Sequence, residues 1–313
     1  MITYDIQTPA QNIHASCLTI GNFDGVHVGH QQLVTKVRKR SGLMNLTSIA
    51  ITFDPHPMRV LTSNKTPPFI TLTPQKLQLI DSLGIDYTLC MPFTRKLASL
   101  EPEEFVCRYL VEMLKLKELI IGYDYAFGKG RKGNYNLLKV LGRKYDFRVD
   151  QFPPVMVDGA IVSSTRIRDL VEEGRVWDVR PLLGRFYRVE GTVISGKKRG
   201  AAQLGFPTAN ILLKDELFPR TGVYAVWIDI KDTIKPAVAN IGYNPTFGND
   251  YLSVEIHIFD FNQNIYDQPV KVHFVQRLRS EIKFSGIDEL KSQIEKDCQL
   301  GRRILSTPES MLA

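Results

Sequence analysis

The stretch that indicates the fold is Leu18-Thr19-Ile20-Gly21-Asn22-Phe23-Asp24-Gly25-Val26-His27-Val28-Gly29-His30. It passes from a short apolar run, typical of a buried strand, through a glycine-rich loop into a segment with helical periodicity. Two imidazoles three residues apart at the start of a helix lie on one face of it. A strand, a loop and a helix in this order predict the first unit of a parallel α/β sheet.

The loop of this stretch suits a polyphosphate. Gly25 and Gly29 lack the side chains that would hold a phosphate away from the backbone, and the amides of a helix N-terminus add a positive field. His27 and His30 would then donate hydrogen bonds to phosphate oxygens. We interpret the motif as a phosphate site, against two alternatives: a turn with two partly buried histidines, or a metal site with further ligands elsewhere.

A second polar segment opens a predicted helix at Ser163-Ser164-Thr165-Arg166-Ile167-Arg168. Hydroxyl side chains are common helix caps, so the three hydroxyls alone would indicate only a cap. Two arginines in the first turn need more explanation, because cations there oppose the helix dipole unless an anion offsets them. The two segments therefore predict one shared anion.

The first half of the chain alternates apolar runs with amphipathic segments, which predicts an α/β fold around a Rossmann-like parallel sheet. The predicted strands are 18–20, 47–53, 87–91 and 118–121, and the predicted helices are 31–40, 75–83 and 103–116. Two shorter helices follow at 166–173 and 176–183, ended by Gly174 and Gly184. We therefore place a domain boundary there, giving domains of residues 1–183 and 184–313.

The second half changes to short β-branched runs bounded by turn residues, which predicts a small antiparallel barrel. These runs are 222–230, 237–241, 253–259 and 269–275, and a closing helix is predicted at 287–304. The oxygens of Thr208 and Asn210 suit magnesium, although a simple barrel turn is the better explanation of these two taken alone. Alternation places Glu255 and His257 on one face of a strand, where a charged residue is usually only solvated.

Two nucleotide-binding patterns are rejected. The glycines at 128, 130 and 133 have dinucleotide-loop spacing but do not directly follow a strand, and the loop is rich in cations. The run 191–198 resembles a phosphate-binding P-loop, but Lys198 stands where a magnesium-binding hydroxyl is required.

Composition narrows the class of protein. The chain has 313 residues, 43% of them hydrophobic, four separated cysteines and a net charge of +7. No run approaches the roughly 18 apolar residues of a membrane helix, and the start has no basic region followed by an apolar run. We expect a cytoplasmic protein with reduced thiols and no membrane partner. The positive charge is spread out, which suits small phosphorylated ligands better than nucleic acid.

The motifs together resemble a known family. Residues 21–30 are similar to the His-x-Gly-His signature of the nucleotidylyltransferase superfamily, and 163–168 to its Ser-Ser-Thr-x-Ile-Arg partner. With 52–57 and 122–128 between them, the order resembles the adenylylating module of bacterial bifunctional riboflavin kinase/FAD synthetases. The run Gly-Phe-Pro-Thr-Ala-Asn at 205–210 resembles the signature of the riboflavin kinase barrel, so the resemblance covers residues 21 to about 284.

The resemblance implies two reactions on one chain. Riboflavin is phosphorylated by ATP to FMN in the barrel, and FMN is adenylylated by a second ATP to FAD and pyrophosphate in the first domain. It implies Glu255 as the general base of the kinase, His27 and His30 in adenylyl transfer, and Mg²⁺ held by Thr208 and Asn210.

The same resemblance implies the residues that bind substrates. The nucleotide-binding set is Gly21, Phe23, Asp24, Gly25, Gly29, Ser163, Ser164, Thr165, Arg168, Gly205 and Pro207. The flavin-binding set is Phe53, His56, Asp124, Phe127, Arg277 and Arg279. The expected partners are riboflavin, FMN and ATP, and the chain is expected to act as a monomer or weak homo-oligomer without nucleic acid.

Two departures from the family pattern define the alternatives. The loop 200–205 is one residue longer than usual and lacks an arginine, and Ala126 stands where an arginine is common. The first alternative is therefore an adenylyltransferase with a degenerate kinase module. The second, motivated by a pI of about 9.1, is an RNA-binding protein, but the chain has neither a Lys-Met-Ser-Lys-Ser-like loop nor an aromatic stacking signature.

Overall fold

The computed structural model describes residues 1–62, 66–194, 205–214, 217–243 and 252–311. The chain forms two compact units, Met1–Ser164 and Thr165–Ala313.

The first unit is built on a six-stranded sheet in which every neighbouring pair is parallel. In spatial order the strands are β1 (Ile2–Thr3), β4 (Tyr87–Pro92), β3 (Thr47–Asp54), β2 (Ser16–Ile20), β5 (Leu116–Gly122) and β6 (Arg148–Phe152). Its helices are α1 (Gln7–Ala10), α2 (Val28–Met44), α3 (Pro57–Leu61), α4 (Thr73–Asp81), α5 (Arg95–Ala98), α6 (Pro102–Phe105) and α7 (Tyr135–Tyr145). A two-stranded antiparallel ribbon, β7 (Met156–Val157) and β8 (Ala160–Ile161), follows the sheet.

Strand β2 is the centre of this unit. All five of its residues are buried, as expected for a parallel strand covered on both faces. Leu18 and Ile20 join one apolar cluster, whereas Cys17 joins the cluster on the opposite face. The strand order reverses between β2 and β5, so the loop after β2 lies where ligands bind in open α/β sheets.

The predicted architecture is confirmed, with differences at element ends. The helix predicted at 103–116 is α6 continued by a π-helical stretch, Val106–Met113, and Leu116 already begins β5. Helix α7 was not predicted, although Asn134 marks its start by accepting a hydrogen bond from the Leu137 amide at 3.0 Å. The glycine-rich segment before α7 forms a short turn, Lys129–Arg131, instead of opening a helix directly after a strand.

The second unit contains a closed antiparallel barrel. Its strands, in order around the barrel, are β10 (Ala209–Leu213), β13 (Leu252–Ile258), β12 (Thr233–Tyr243), β11 (Gly222–Ile230), β14 (Pro269–Arg279) and β9 (Tyr187–Ile194). Its helices are α8 (Ser164–Glu172), α9 (Val176–Leu183) and α10 (Ile287–Leu305). Gly174 and Gly184 have left-handed φ angles of 80° and 68°, which confirms that glycines end α8 and α9.

Helix α10 covers part of the outer face of the barrel. Cys298 and Leu305 of the helix pack with Ala225, Val238 and Val275 of the strands. The barrel therefore has one core inside and a second apolar layer under α10.

Candidate active sites

The loop after β2 reverses direction sharply. Phe23, Gly25 and Val26 all have left-handed backbone, with φ angles of 52°, 80° and 40°. A Cβ atom on Gly25 would lie 3.1 Å from Ile70. Any other residue here would therefore have both a strained backbone and a close contact. After this reversal, α2 packs back against β2 and β3.

Asp24 holds this loop in place. Its buried carboxylate accepts hydrogen bonds from the amides of Ile70 at 3.0 Å and Thr71 at 3.2 Å. The Gly25 amide donates to the Thr71 hydroxyl at 3.1 Å, and the Ser164 hydroxyl donates to the Asp24 carbonyl at 2.9 Å. Asp24 and Ser164, both predicted to bind nucleotide, are thus observed as supports of the loop, and their contact with ATP stays a prediction.

The two histidines form one stacked pair. The His27 and His30 rings are 3.6 Å apart at 15°, and the His30 amide donates to His27 Nδ1 at 3.3 Å. The Phe23 ring meets His30 edge-on at 5.2 Å. A Cβ atom on Gly29 would lie 3.1 Å from the His27 ring, so glycine leaves room for the stack. The structure therefore brings together four residues that the sequence grouped.

His30 is held in its neutral form. Its Nδ1 atom is buried and accepts or donates no hydrogen bond within the described part of the chain. Burial, with smaller contributions from His27 and Lys76, lowers the pKa of His30 well below its ordinary 6.5. A neutral imidazole with one N–H can donate a hydrogen bond to a phosphate oxygen without requiring an acidic solution.

Lys76 is a buried lysine that acts on the pKa of His30 and that the sequence did not single out. Its side chain is only 4% exposed, and the ammonium donates to the Phe53 carbonyl at 3.2 Å. Burial lowers the pKa of Lys76, whereas Cys90, Asp24 and Asp54 act in the opposite direction. In the sequence, Lys76 is only a lysine next to Leu77 on a helix predicted to pack against the sheet. That position does not by itself predict a buried side chain.

The predicted flavin residues of the first unit have identifiable contacts. The Phe53 ring meets Phe93 edge-on at 5.4 Å. His56 accepts a hydrogen bond from the Met58 amide at 3.2 Å and thereby begins α3. Asp124 is exposed.

Phe127 is engaged in packing. Its ring stacks on Tyr125 at 5.5 Å, and its backbone pairs with Gly133. Phe53 and Phe127 pack against the same apolar cluster of the sheet. The structure therefore places both aromatics on one side of the sheet, and their contact with flavin stays a prediction.

The second polar segment begins α8. Ser163 and Ser164 are half-buried and close the first unit, whereas Thr165 opens the second unit and is exposed. Arg168 is half-buried. The contacts of Arg168 and Thr165 with ATP stay predictions.

The barrel places three oxygen-bearing side chains in one row. Asn210 of β10 pairs directly with Glu255 of β13, which pairs directly with Asn240 of β12. Side chains directly opposite each other on neighbouring strands share a face, with Cβ atoms about 4.5–5.5 Å apart. Glu255 is partly buried, and this burial raises the pKa of its carboxyl. A carboxylate with a raised pKa is suited to accept a proton from an alcohol.

His257 supports the loop that precedes β10. Its Nδ1 atom lies 2.9 Å from the Pro207 carbonyl, and its ring meets Phe206 edge-on at 5.3 Å. Gly205, at the other end of the loop, has a left-handed φ of 77°. His257 thereby positions the segment that carries Thr208, which is exposed. The alternation of 253–259 placed His257 on the right face, but it did not indicate this contact.

Arg277 and Arg279 anchor the end of β14. Arg277 donates to the Thr221 carbonyl at 2.6 Å and the Ser280 hydroxyl at 3.2 Å. Arg279 forms a forked pair with Asp297 of α10, with N–O distances of 2.8 and 3.0 Å. Both arginines, predicted to bind flavin, are thus observed in structural contacts, and their contact with flavin stays a prediction.

Comparison with known proteins identifies the two units. The FAD synthetase family model matches residues 10–166, and the riboflavin kinase family model matches residues 183–305. The chain is 37% identical over 292 residues to the bifunctional riboflavin kinase/FMN adenylyltransferase of Buchnera aphidicola subsp. Schizaphis graminum, covering 92% of this chain and 93% of that protein. The chain belongs to the bifunctional riboflavin kinase/FMN adenylyltransferase family. The protein of that name from Escherichia coli K12 is 35% identical over 281 residues, covering 90% of each chain.

A solved structure extends the similarity to the fold. The crystal structure of a chain described as a macrolide-efflux protein from Streptococcus pneumoniae matches with a TM-score of 0.84 at 30% identity, covering 96% of this chain and 98% of that chain. In the part of this chain that the structure describes, no helix is long and apolar enough to cross a membrane.

Both halves of this bifunctional family member therefore have a matching family model. The predicted pairing of a riboflavin kinase with an FMN adenylyltransferase is confirmed. The match to the kinase model and the whole-length relatives favour this function over the adenylyltransferase-only and RNA-binding alternatives.

Proposed function

We propose that this chain converts riboflavin to FMN in the barrel and FMN to FAD in the first unit, using one ATP in each step. In the kinase step, Glu255 takes the proton of the terminal ribityl hydroxyl as that oxygen attacks the γ-phosphate of ATP. This assignment rests on the pairing of Glu255 with Asn210. The pairing places the proposed base beside a residue that is expected to bind the magnesium ion of the nucleotide.

The residues of the barrel fit magnesium. The hydroxyl of Thr208 and the amide oxygen of Asn210 are hard oxygen donors, and Glu255 adds a carboxylate in the same row. The described residues contain no group of three or more His, Cys, Asp or Glu side chains suited to a metal ion. A small number of protein oxygen ligands is typical of Mg²⁺ that is bound mainly by substrate phosphates and water. When bound, the ion supplies neutralisation of phosphate charge.

In the adenylylation step, the FMN phosphate attacks the α-phosphate of ATP and pyrophosphate leaves. A phosphate nucleophile is already anionic, so no strong base is required. His27 and the neutral His30 donate hydrogen bonds to phosphate oxygens, and Arg168 offsets the negative charge. We assign this reaction to residues 1–183 and the kinase reaction to residues 184–313.

The cellular compartment and the oligomeric state of the chain are part of the proposal. All four cysteines are free thiols, which supports a reducing compartment such as the cytoplasm. The chain would act there as a monomer or weak homo-oligomer on riboflavin, FMN and ATP alone. Residues 200–204, where the chain departs from its family, and Lys198 and Arg199, which are available to supply the missing charge, lie outside the described residues.

Replacing one reactive residue at a time tests the two-site assignment. We expect His30→Ala to abolish FAD formation from FMN while leaving FMN formation largely intact, because the kinase does not use this histidine. Chromatography of flavins formed from riboflavin or FMN with Mg-ATP measures both activities. Equal loss of both would reject the two-site assignment.

The reverse result is expected for Glu255→Gln. This variant should lose riboflavin phosphorylation by at least about 100-fold, since general-base catalysis contributes about that much, and should keep FAD formation from added FMN. Full phosphorylation by the variant would reject Glu255 as the base. The wild-type chain decides the degenerate-kinase alternative, because that alternative requires that no FMN is formed from riboflavin.

A further inference from the structure

Asn240 lies in the middle of a row of residues that crosses five strands of the barrel. Asn210 pairs with Glu255, Glu255 with Asn240, Asn240 with Val223, and Val223 with Arg279. The row thus runs from the predicted metal ligand, through the proposed base, to the end of β14 where flavin is predicted. Asn240 is one strand spacing, about 4.8 Å, from the backbone of the proposed base.

The side chain of Asn240 has no structural task among the described residues. It is exposed, and it makes no side-chain hydrogen bond there. Val238, two residues earlier on the same strand face, is 7% exposed and packs under α10. An open amide beside a partly buried carboxylate is therefore available to a ligand.

The next residue on this face leaves room for an acidic side chain beside Asn240. Gly242 follows Asn240 on the same face of β12, and a Cβ atom there would lie 2.6 Å from Glu281 Oε1. The same point lies 3.6 Å from Asn240 Nδ2. The Asn240 amide therefore borders a small polar surface that reaches the segment after β14.

The geometry of phosphoryl transfer assigns this surface to the acceptor. Attacking and leaving oxygens lie on opposite sides of the transferred group, and the base lies beside the attacking oxygen. Because Asn210 is on the nucleotide side of Glu255, the alcohol approaches from the Asn240 side. The acceptor is a polyol chain, whose hydroxyls both donate and accept hydrogen bonds, as does a carboxamide.

We infer that Asn240 hydrogen-bonds the ribityl chain of riboflavin and holds its terminal hydroxyl against Glu255. The inference rests on the proposed role of Glu255 in the kinase step. It adds a substrate-binding residue that neither the motifs nor the spacing of the sequence indicated.

Steady-state kinetics of the full-length chain test this inference. We expect Asn240→Ala to raise the KM for riboflavin roughly 10-fold, as for the loss of one hydrogen bond, with the KM for ATP unchanged. Asn240→Ser, which keeps a smaller donor and acceptor, should fall between wild type and the alanine variant. Lumiflavin, which has the flavin ring but no ribityl chain, should inhibit wild type and Asn240→Ala with the same inhibition constant.

Three controls accompany the variants. Ile234→Ala changes an exposed side chain on the same face of β12, about 20 Å along the strand, and should leave the KM for riboflavin unchanged. FAD formation from FMN by each preparation reports on the first unit. Tryptophan fluorescence reports folding of the second unit, which contains Trp177 and Trp227, the two tryptophans of the chain.

Three results with Asn240→Ala would overturn the inference. The first is that lumiflavin inhibition weakens as much as riboflavin binding does. The others are that only the KM for ATP rises, or that the KM for riboflavin does not change. The outcome is separable from that of the proposed function. If Glu255→Gln retains kinase activity, the assignment of the base fails. If Glu255→Gln is inactive and Asn240→Ala has the wild-type KM for riboflavin, only the role of Asn240 fails.

Discussion

Burial acts in opposite directions on the two reactive groups of this enzyme. It raises the pKa of the Glu255 carboxyl and lowers the pKa of the His30 imidazole, since removal from water disfavours whichever form is charged. The raised pKa makes the Glu255 carboxylate a stronger base. For His30, burial keeps the ring uncharged as a hydrogen-bond donor.

The kinase reaction should therefore fail on the acid side at a higher pH than an ordinary glutamate would allow. As pH falls through the raised pKa of Glu255, the carboxylate takes up a proton and can no longer accept one from the ribityl hydroxyl. Initial rates of FMN formation at saturating riboflavin and Mg-ATP should show an acid limb above pH 4.5, the unperturbed value. A limb at or below that value would contradict the buried base.

The charge of Lys76 should contribute to the neutrality of His30. Lys76→Met removes a buried positive charge that lowers the pKa of His30, so that pKa should rise. The imidazole C–H signal of His30, assigned with His30→Asn, reports the titration by NMR. Lys76→Arg keeps the charge and serves as the matched control. An identical His30 titration in wild type and Lys76→Met would contradict the coupling.

At the scale of elements, periodicity located strands and helices but not their register. Alternation placed Glu255 and His257 on one face correctly. The partners of Glu255, Asn210 and Asn240, follow only from the register in which β13 pairs with β10 and with β12. Register shifts in β11 and β14, next to Val223 and Ala225, show why counting residues along one strand does not predict such rows.

The pair formed by Arg279 and Asp297 should be the main polar link between β14 and α10. The two side chains are 18% and 7% exposed, and the pair is forked. Asp297→Ala would leave Arg279 half-buried without its carboxylate, and we expect it to lower the free energy of unfolding by about 3 kcal/mol. Urea unfolding followed by tryptophan fluorescence measures this in the second unit.

An exposed pair on the same helix provides the comparison. Arg302 donates to Asp260 at 2.7 and 2.9 Å, but the two side chains are 48% and 78% exposed. Asp260→Ala should leave the urea midpoint almost unchanged, because water and salt screen exposed pairs. Equal effects of the two alanine variants would contradict the importance of burial.

At the scale of the whole molecule, the glycines at 174 and 184 showed where two helices end but not which core covers them. The compact units divide between Ser164 and Thr165, and the two family models leave residues 167–182 between them. Within the second unit, the Arg220 amide donates to the Val171 carbonyl at 3.4 Å, and the Arg180 guanidinium lies 4.6 Å from the Phe186 ring. Helices α8 and α9 are thus part of the packing of this unit, which is a tertiary property that their sequence does not reveal.

Two fragments should therefore differ in stability. Val176, Val179, Leu182 and Leu183 of α9 are 0–1% exposed, and each buried aliphatic side chain contributes about 1.5–3 kcal/mol. We expect residues 165–313 to fold and phosphorylate riboflavin. Residues 184–313, which lack both helices, should be less stable by on the order of 5 kcal/mol and lose kinase activity at a lower temperature.

Trp227 is a fluorescent probe present in both fragments, whereas Trp177 is present only in residues 165–313. Trp227 lies in β11 and donates from its indole to the Ser310 carbonyl at 2.6 Å, so its fluorescence responds to loss of the barrel and its C-terminal contacts. Thermal unfolding of each fragment should be compared with that of the full-length chain, and riboflavin phosphorylation should be measured at a temperature between the two midpoints. Equal midpoints and equal activities would show that α8 and α9 add nothing to the kinase unit, because burial of their apolar faces would then be balanced by the entropy of ordering them.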